Sequence, residues 1–322
     1  MHIVDNFIMD TVVEQRVYGE NASAACERAA RLLRRIENLM SFFKQGSDVR
    51  TLNESAGSGT PVPVSVETMS VLLAAKDLAE KSGGAFDITA APLSECWRAA
   101  AARGGGVPPG EDDLSRALSS VGNDGLRLYP ESGTALLTKK DAAVDLGGIA
   151  KGYAADRVIE LFSDMGISSA LINLGGNVKT LSAKPDGQPW LVGLQDPEKD
   201  RGVFMGVLRV INTSAVTSGG YERFYVIGKE RHHHIIDPAS GRPASSGLLS
   251  ATVMTKSSMY ADGLSTAAFV LGTERMTGLL SGYKGVEAVL VDTERHIWIT
   301  PGALCLWSPA PGYEQLQVSV LK

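Results

Sequence analysis

The order of helical and β-rich segments constrains the fold of this chain more than any other feature. Two amphipathic helices come early and β-rich stretches crowd the middle, with no strict strand–helix–strand alternation. A doubly wound parallel sheet needs that alternation, so the order points to an α+β fold of mixed β-sheets with packed helices. Asn21 is placed to cap a helix running to about Met40, with Ala25, Ala29, Leu32, Leu33, Ile36, Leu39 and Met40 on one stripe. A second helix is expected from Ser65 to about Lys81, with Val66, Met69, Leu72, Leu73 and Leu78 as its apolar positions and Gly83-Gly84 as its stop. FIMDTVVEQRVYG (7–19) reads as a first strand, and GLRLYP with TALLTKKDAAVDL as a strand pair. A helix through IAKGYAADRVIELFSDMG closes at Gly166. ALINLGG, PWLVGLQDP, GVLRVIN and YERFYVIG are β-rich, residues 258–272 read as helical, another helix precedes EAVLVDT, and two short strands finish the chain. RGGGVPPGEDD (103–113) is a surface loop. No linker divides the chain, so residues 1–322 are expected to form a single compact unit of two intertwined subdomains.

Composition removes several function classes. A net charge of −5 without a basic stripe argues against a nucleic-acid partner. The three cysteines, Cys26, Cys96 and Cys305, are far apart and have no zinc spacing, so they read as spectators. No run is long enough for a membrane helix. The opening MHIVDNFIMDTVV has no leader pattern. The expectation is therefore either a cytoplasmic protein or the mature part of an exported one. Thirty-five glycines, many clustered beside strands, suggest tight turns and close backbone approach to a ligand.

Three constellations carry chemistry. In VDLGGIAKGYAADRV (144–158) a strand is expected to end in Asp145, followed by a Gly-Gly turn and a helix starting near Lys151. That arrangement either cradles a phosphate on backbone N–H groups beside a lysine or is a plain tight turn. In MYADGLSTAAFVLG, Asp262 and Thr266 are four residues apart on one helical face. A carboxylate plus a hydroxyl suits Mg²⁺; alternatively Asp262 caps the helix and Thr266 bonds back to a carbonyl. In RHHHIIDPASGRPA (231–244), adjacent strand residues point to opposite faces, so the three histidines make a poor metal site. His234, at the strand exit, is the better single functional imidazole. Asp87 in GGAFDITAAPL either bonds a ligand's polar edge or caps TAAPL.

Together these segments resemble the FAD:protein FMN transferases, the ApbE family. MDT (9–11), MSFFKQGSDVRTLN (40–53), GGAFDITAAPL, VDLGGIAKGYAADRV, NLGGNV, PWLVGLQDP, TSGGYERF, HHIIDPASGRPA and ADGLSTAAFVLG all match in order, over about residues 7–272. The resemblance implies an enzyme that breaks the pyrophosphate of its substrate FAD with Mg²⁺, places FMN on a Ser/Thr hydroxyl of a target flavoprotein, and releases AMP. It further implies Mg²⁺ ligation by Asp262, Thr266 and the Gly148 carbonyl. FAD contacts would come from Met9, Phe43, Phe86, Asp87, Ile88, Asp145, Lys151 and Ile236. His234 would act as general base on the acceptor hydroxyl or orient a phosphate. Gly148 stands where many relatives carry alanine, and Phe43 where some carry tyrosine. Most relatives are exported, which favours the periplasm or cell surface if a leader was removed. Two alternatives keep the same residues: an FAD pyrophosphatase giving FMN and AMP, and a non-catalytic flavin-binding protein.

Overall fold

The computed structural model describes residues 1–321. The chain opens with the strands β1 (His2–Ile8) and β2 (Thr11–Tyr18), then α1 (Ala22–Met40) and α2 (Asp48–Glu54). Next come β3 (Val62–Pro63), α3 (Val66–Lys81), α4 (Ala91–Arg103), α5 (Glu111–Ser120), β4 (Leu126–Tyr129) and β5 (Thr134–Leu137). The central stretch holds α6 (Ala150–Asp164), β6 (Ser169–Leu174), β7 (Asn177–Leu181), β8 (Trp190–Gln195), β9 (Phe204–Val210) and β10 (Ser214–Gly219). A hairpin of β11 (Phe224–Ile227) and β12 (Glu230–His233) follows, then β13 (Leu248–Thr255), α7 (Ser258–Ser281) and β14 (Glu287–Asp292). The remainder is β15 (Ile297–Ile299), α8 (Pro301–Leu304), β16 (Trp307–Pro309) and β17 (Val318–Val320).

A nine-stranded sheet in the order β1-β2-β6-β7-β10-β13-β14-β15-β17 organises the molecule. Its pairings are antiparallel apart from β15 with β17. Side-chain alternation sends its residues into two cores. Ala170, Ile172, Leu174, Val253 and Leu290 pack into the core shared with α1, α6 and α7. Leu171, Met254, Val289 and Val291 enter the second core, against Trp190, Met205 and Leu208 of the small sheet β16-β9-β8. Both faces of the sheet are thus covered, the arrangement expected of strands that read as apolar on both sides. A third, smaller cluster of Leu93, Trp97, Ala100, Ala117, Ile227 and Ile236 ties α4 and α5 to the β11–β12 hairpin. Trp97 Nε1 donates to the Gly241 carbonyl at 2.9 Å and secures the loop beyond that hairpin.

One helix crossing sets the geometry of everything that follows. Gly152 on α6 lies so close to the start of α7 that an added Cβ would sit 2.2 Å from the Ser258 carbonyl oxygen. No side chain fits there, so glycine is required by close approach rather than by its dihedral freedom. Four residues from the crossing, Asp156 reaches across from α6 and accepts from the N–H of Ser258 (2.8 Å) and Met259 (3.1 Å) and from Ser257 Oγ (3.0 Å). Lys179 of β7 pairs with the same carboxylate, both side chains being largely buried. A carboxylate at the N-terminus of α7 meets the free N–H groups and the positive end of the helix dipole.

The α+β expectation holds, with local corrections. The expected single strand over 7–19 is a hairpin, because Met9 and Asp10 adopt left-handed backbone (φ 56° and 57°) and turn the chain in two residues. Asn21 occupies the cap position of α1 but makes no side-chain cap bond, whereas Ser65 caps α3 by accepting from the Thr68 N–H at 3.2 Å. Val66 lies outside the buried stripe of α3 and is 81% exposed. No strand ends in Asp145: Ala143 forms only an isolated bridge with Ala90, and the Asp145 N–H donates to the Ile88 carbonyl at 2.8 Å. The helix expected over 258–272 and the one after it meet at Gly272, whose φ of 76° and ψ of 179° break the α7 path. Helices α4 and α5 were not anticipated, and they take both ends of the expected 103–113 loop, which is left as residues 104–110. Cys26 is buried, Cys305 exposed, and all three cysteines are free thiols.

Candidate active site

A cleft of about 680 Å³ opens between the main core and the small α4–α5–hairpin cluster. This is within the range of small-molecule sites. Of the residues singled out from sequence, Phe43, Phe86, Asp87, Ile88, Asp145, Gly148, Lys151, His234, Ile236, Asp262 and Thr266 all line it. Met9 does not. Its side chain packs on the main core and its N–H donates to Glu37 Oε1 at 2.9 Å, while the adjoining Asp10 and Thr11 face the cleft.

Asp262 forms the floor. It is only 4% exposed, and its Oδ2 accepts the Gly152 N–H at 2.9 Å with Lys151 Nζ at 3.9 Å. Burial pushes its carboxyl above the usual range, and Lys151 and the Gly152 N–H pull it back only in part. Ser257, not Asp262, occupies the N-cap position of α7, so the capping alternative for Asp262 falls. Thr266 Oγ1 sits 3.2 Å from Ser218 Oγ and only at the limit, 3.5 Å, from the Asp262 carbonyl, so its back-bond is weak. The Gly148 turn closes over the same hydroxyl: a Cβ there would lie 3.7 Å from Thr266 Oγ1 and 3.2 Å from the Phe86 ring.

The turn is not a free amide cradle. The Gly147 N–H donates to Asp145 Oδ1 at 2.8 Å, and the Ile149 and Ala150 N–H groups both donate to the Leu146 carbonyl. The Gly152 N–H is held by Asp262, which leaves little of this turn to receive a phosphate through backbone donors. Lys151, bonded to the Gly147 carbonyl at 2.6 Å, supplies the charge instead. The oxygen donors here are one buried carboxylate, one weakly engaged hydroxyl and a nearby carbonyl. A hard divalent cation that keeps ligand oxygens in its shell fits that set and would offset the desolvated Asp262 charge.

The three histidines divide as alternation requires. His232 packs against Trp97 with ring centroids 5.1 Å apart, and His233 meets Phe269 edge-on at 5.2 Å while its Nε2 donates to the Ala244 carbonyl at 3.0 Å. His234 alone lines the cleft. Its Nδ1 is 2.9 Å from the Arg223 carbonyl, which can only accept, so the proton resides on Nδ1 and Nε2 carries the lone pair. Burial, with Arg223 and Lys151 nearby, pushes the imidazole down to about 4, keeping it neutral at pH 7.

Asp87 does cap its own segment, accepting from the Thr89 N–H (2.8 Å) and hydroxyl (2.7 Å), and burial raises its carboxyl pKa. Phe43 is 68% exposed, with the Arg98 guanidinium 4.8 Å from its ring centroid, so its free face suits a flat ring. Sequence reasoning passed over Asp156, although it lies inside the quoted AKGYAADRV segment. An acid amid a run of apolar helical residues was the available signal. It also passed over Arg98, Arg201 and Arg223, whose places in the cleft wall depend on contacts remote in sequence.

Mixed-sheet α+β architecture with a carboxylate-floored cleft between a large core and a helical satellite defines the structural class. The ApbE family model matches residues 9–290, and the chain belongs to that family. An FAD:protein FMN transferase of Treponema pallidum is 33% identical over 314 residues, covering 92% of this chain and 85% of that protein. One from Klebsiella pneumoniae is 32% identical and covers 95% of this chain and 94% of its own. Among solved structures, the ApbE protein of Thermotoga maritima superposes with a TM-score of 0.85 at 29% identity, covering 95% of this chain and 98% of that one. The flavin transferase ApbE of Vibrio cholerae, at 24% identity and a TM-score of 0.80, shares the fold.

Proposed function

We propose that this protein is an FAD:protein FMN transferase, moving FMN from FAD to a Ser or Thr hydroxyl of a target flavoprotein and releasing AMP. The observation that carries the reading is the meeting of a buried Asp262, Lys151, Thr266 and a neutral His234 in one cleft. Asp262, Thr266 and the Gly148 carbonyl would hold Mg²⁺, which when bound neutralises charge at the pyrophosphate. Lys151 adds a fixed positive charge beside it. Phe43, Phe86 and Ile236 offer the apolar surfaces that a flavin ring needs. In the transfer, the acceptor oxygen bonds to the FMN phosphorus, the anhydride P–O bond breaks, and AMP departs with the electron pair. The hydroxyl proton passes to His234 Nε2.

The test is to incubate the protein with FAD, Mg²⁺ and an acceptor domain carrying a Ser/Thr flavinylation site, and to record the acceptor's intact mass. A gain of one FMN phosphoester, lost with EDTA, is the expected result. Free FMN and AMP with unmodified acceptor would replace transfer by hydrolysis. FAD recovered intact would leave only flavin binding.

A further inference from the structure

Four cationic side chains line the cleft: Arg98, Lys151, Arg201 and Arg223. Three are engaged. Arg98 pairs with Glu95, Lys151 lies 3.9 Å from Asp262, and Arg223 lies 3.1 Å from Asp10. Among the described residues Arg201 has neither a carboxylate partner nor a side-chain hydrogen bond. Its position is nevertheless built. It sits on the loop between β8 and β9, which begins with Asp196-Pro197 directly after Gln195, the last residue of β8.

That loop is closed from inside and clamped from below. The Gln195 carboxamide accepts the Gly202 N–H at 2.8 Å and donates to the carbonyls of Asp196 (2.8 Å) and Asp200 (3.0 Å), so both of its ends are used within the loop. Asp196 is fully buried and accepts from Arg295 Nη2 (2.8 Å), Tyr313 Oη (2.7 Å) and the Glu198 N–H (3.0 Å). Its own N–H donates to the Val203 carbonyl at 2.8 Å, pinning the two ends of the loop together. Such a set of bonds holds a backbone in one conformation, and with it the base of the Arg201 side chain.

Arg201 and Glu222 line both the main cleft and an adjoining polar cavity of about 450 Å³. The apolar side chains Phe43, Phe86 and Ile236 line the main cleft alone. We infer that Arg201 binds the phosphate of the adenylate half of FAD and retains it as AMP leaves, with Gln195 acting as the positioning residue for its loop. The inference rests on the transferase reading. When the P–O bond to the AMP moiety breaks, that phosphate becomes a monoester and gains negative charge, while the Lys151 charge is shared with the buried Asp262 carboxylate 3.9 Å away. A guanidinium fork free of other partners suits a phosphate.

The experiment is isothermal titration of the purified protein with AMP and, separately, with FMN, for the wild type, Arg201→Gln, Arg201→Lys and Gln195→Leu. Arg201→Gln should weaken AMP by about tenfold to a hundredfold, the range of a charge-assisted hydrogen bond, and leave FMN affinity unchanged. Arg201→Lys should recover part of the loss, and Gln195→Leu should show a smaller version of it. Unchanged AMP affinity in Arg201→Gln overturns the inference, as does an equal loss for AMP and FMN. The acceptor-mass assay separates the two readings. AMP binding through Arg201 without transfer sinks only the transferase, whereas an active enzyme indifferent to Arg201→Gln sinks only this assignment.

Discussion

The two walls of the cleft are built differently. On one side α6 and α7 cross at a distance only glycine permits, and Asp156, Lys179 and the first turn of α7 form a buried polar clamp. On the other side His234 follows the β11–β12 hairpin, which packs on the small satellite core, and Phe43 meets Arg98 of α4. There two loop glycines, Gly106 and Gly228, approach each other, and their left-handed conformations place a hypothetical Gly106 Cβ 3.0 Å from the Gly228 Cα. The first wall fixes a carboxylate in an unfavourable buried position, which needs rigid support. The second presents a neutral imidazole and a stacking surface, which tolerate adjustment. Rigidity follows the cost of what must be held in place.

The largest effect that would test this contrast is Asp262→Asn. Loss of the buried charge should lower transfer by about a thousandfold or more, since metal-assisted charge neutralisation is worth several kcal/mol, and FAD affinity should fall less. Single-turnover rates and equilibrium titration give the two numbers, and full activity would remove the metal assignment. Asp156→Ala should come next, at about 3–5 kcal/mol of stability, because it leaves Lys179 and the α7 N–H groups without their partner. Urea denaturation reads it directly. A loss below about 1 kcal/mol would mean that the clamp is not what holds this wall.

His234→Gln should cut the transfer rate by about a hundredfold, the low end of general-base catalysis, without changing the melting temperature much. The pH profile supplies a sharper check. A histidine lowered from 6.5 to about 4 in the folded protein stays neutral through the physiological range, so the acid limb it controls should fall near pH 4 rather than 6.5. The linked stability has the same sign: it is fully present above pH 6.5 and is lost as the pH drops towards 4, because the unfolded chain takes up the proton first. An acid limb centred near 6.5 would remove His234 from this role.

Paired glycine substitutions complete the series. Gly152→Ala should destabilise by about 1–3 kcal/mol through forced separation of the helices, and should also lower activity by displacing Asp262. Gly106→Ala, on the compliant wall, should cost about 1 kcal/mol from its left-handed backbone and leave transfer nearly intact. Equal activity losses in the two variants would erase the distinction between the walls.

The α+β class was legible because the segment order excludes the alternating alternative, and α1, α3 and α6 were legible because their apolar stripes are long. Helices α4 and α5 were not. Their buried faces amount to Ala91, Leu93, Trp97 and Ala100 on one, and Leu114 with Ala117 on the other, too sparse to declare a period. Strands β7 and β10 were hidden for the opposite reason, since Thr180 and Ser214 are polar yet fully buried and hydrogen-bonded to neighbouring carbonyls. Of the residues the motifs singled out, all but Met9 line the cleft. What they could not contain is the 110-residue leap by which the Gly152 N–H meets Asp262, or the choice of Ser257 over Asp262 as the helix cap. Those depend on how two helices cross, and no local pattern records a crossing.

The hairpin between β1 and β2 has a consequence for anyone who would engineer this protein. Its two turn positions take left-handed backbone with Met9 and Asp10, where an Asn-Gly pair would be at ease. Substituting that pair is an obvious route to a more heat-resistant variant, gaining about 1 kcal/mol per relieved residue. Yet the turn also delivers Asp10 to Arg223, the residue whose carbonyl sets the His234 proton. Thermostabilisation by consensus turn design would therefore loosen a tie to the imidazole, and selection for heat tolerance alone should drift towards a sturdier but slower catalyst.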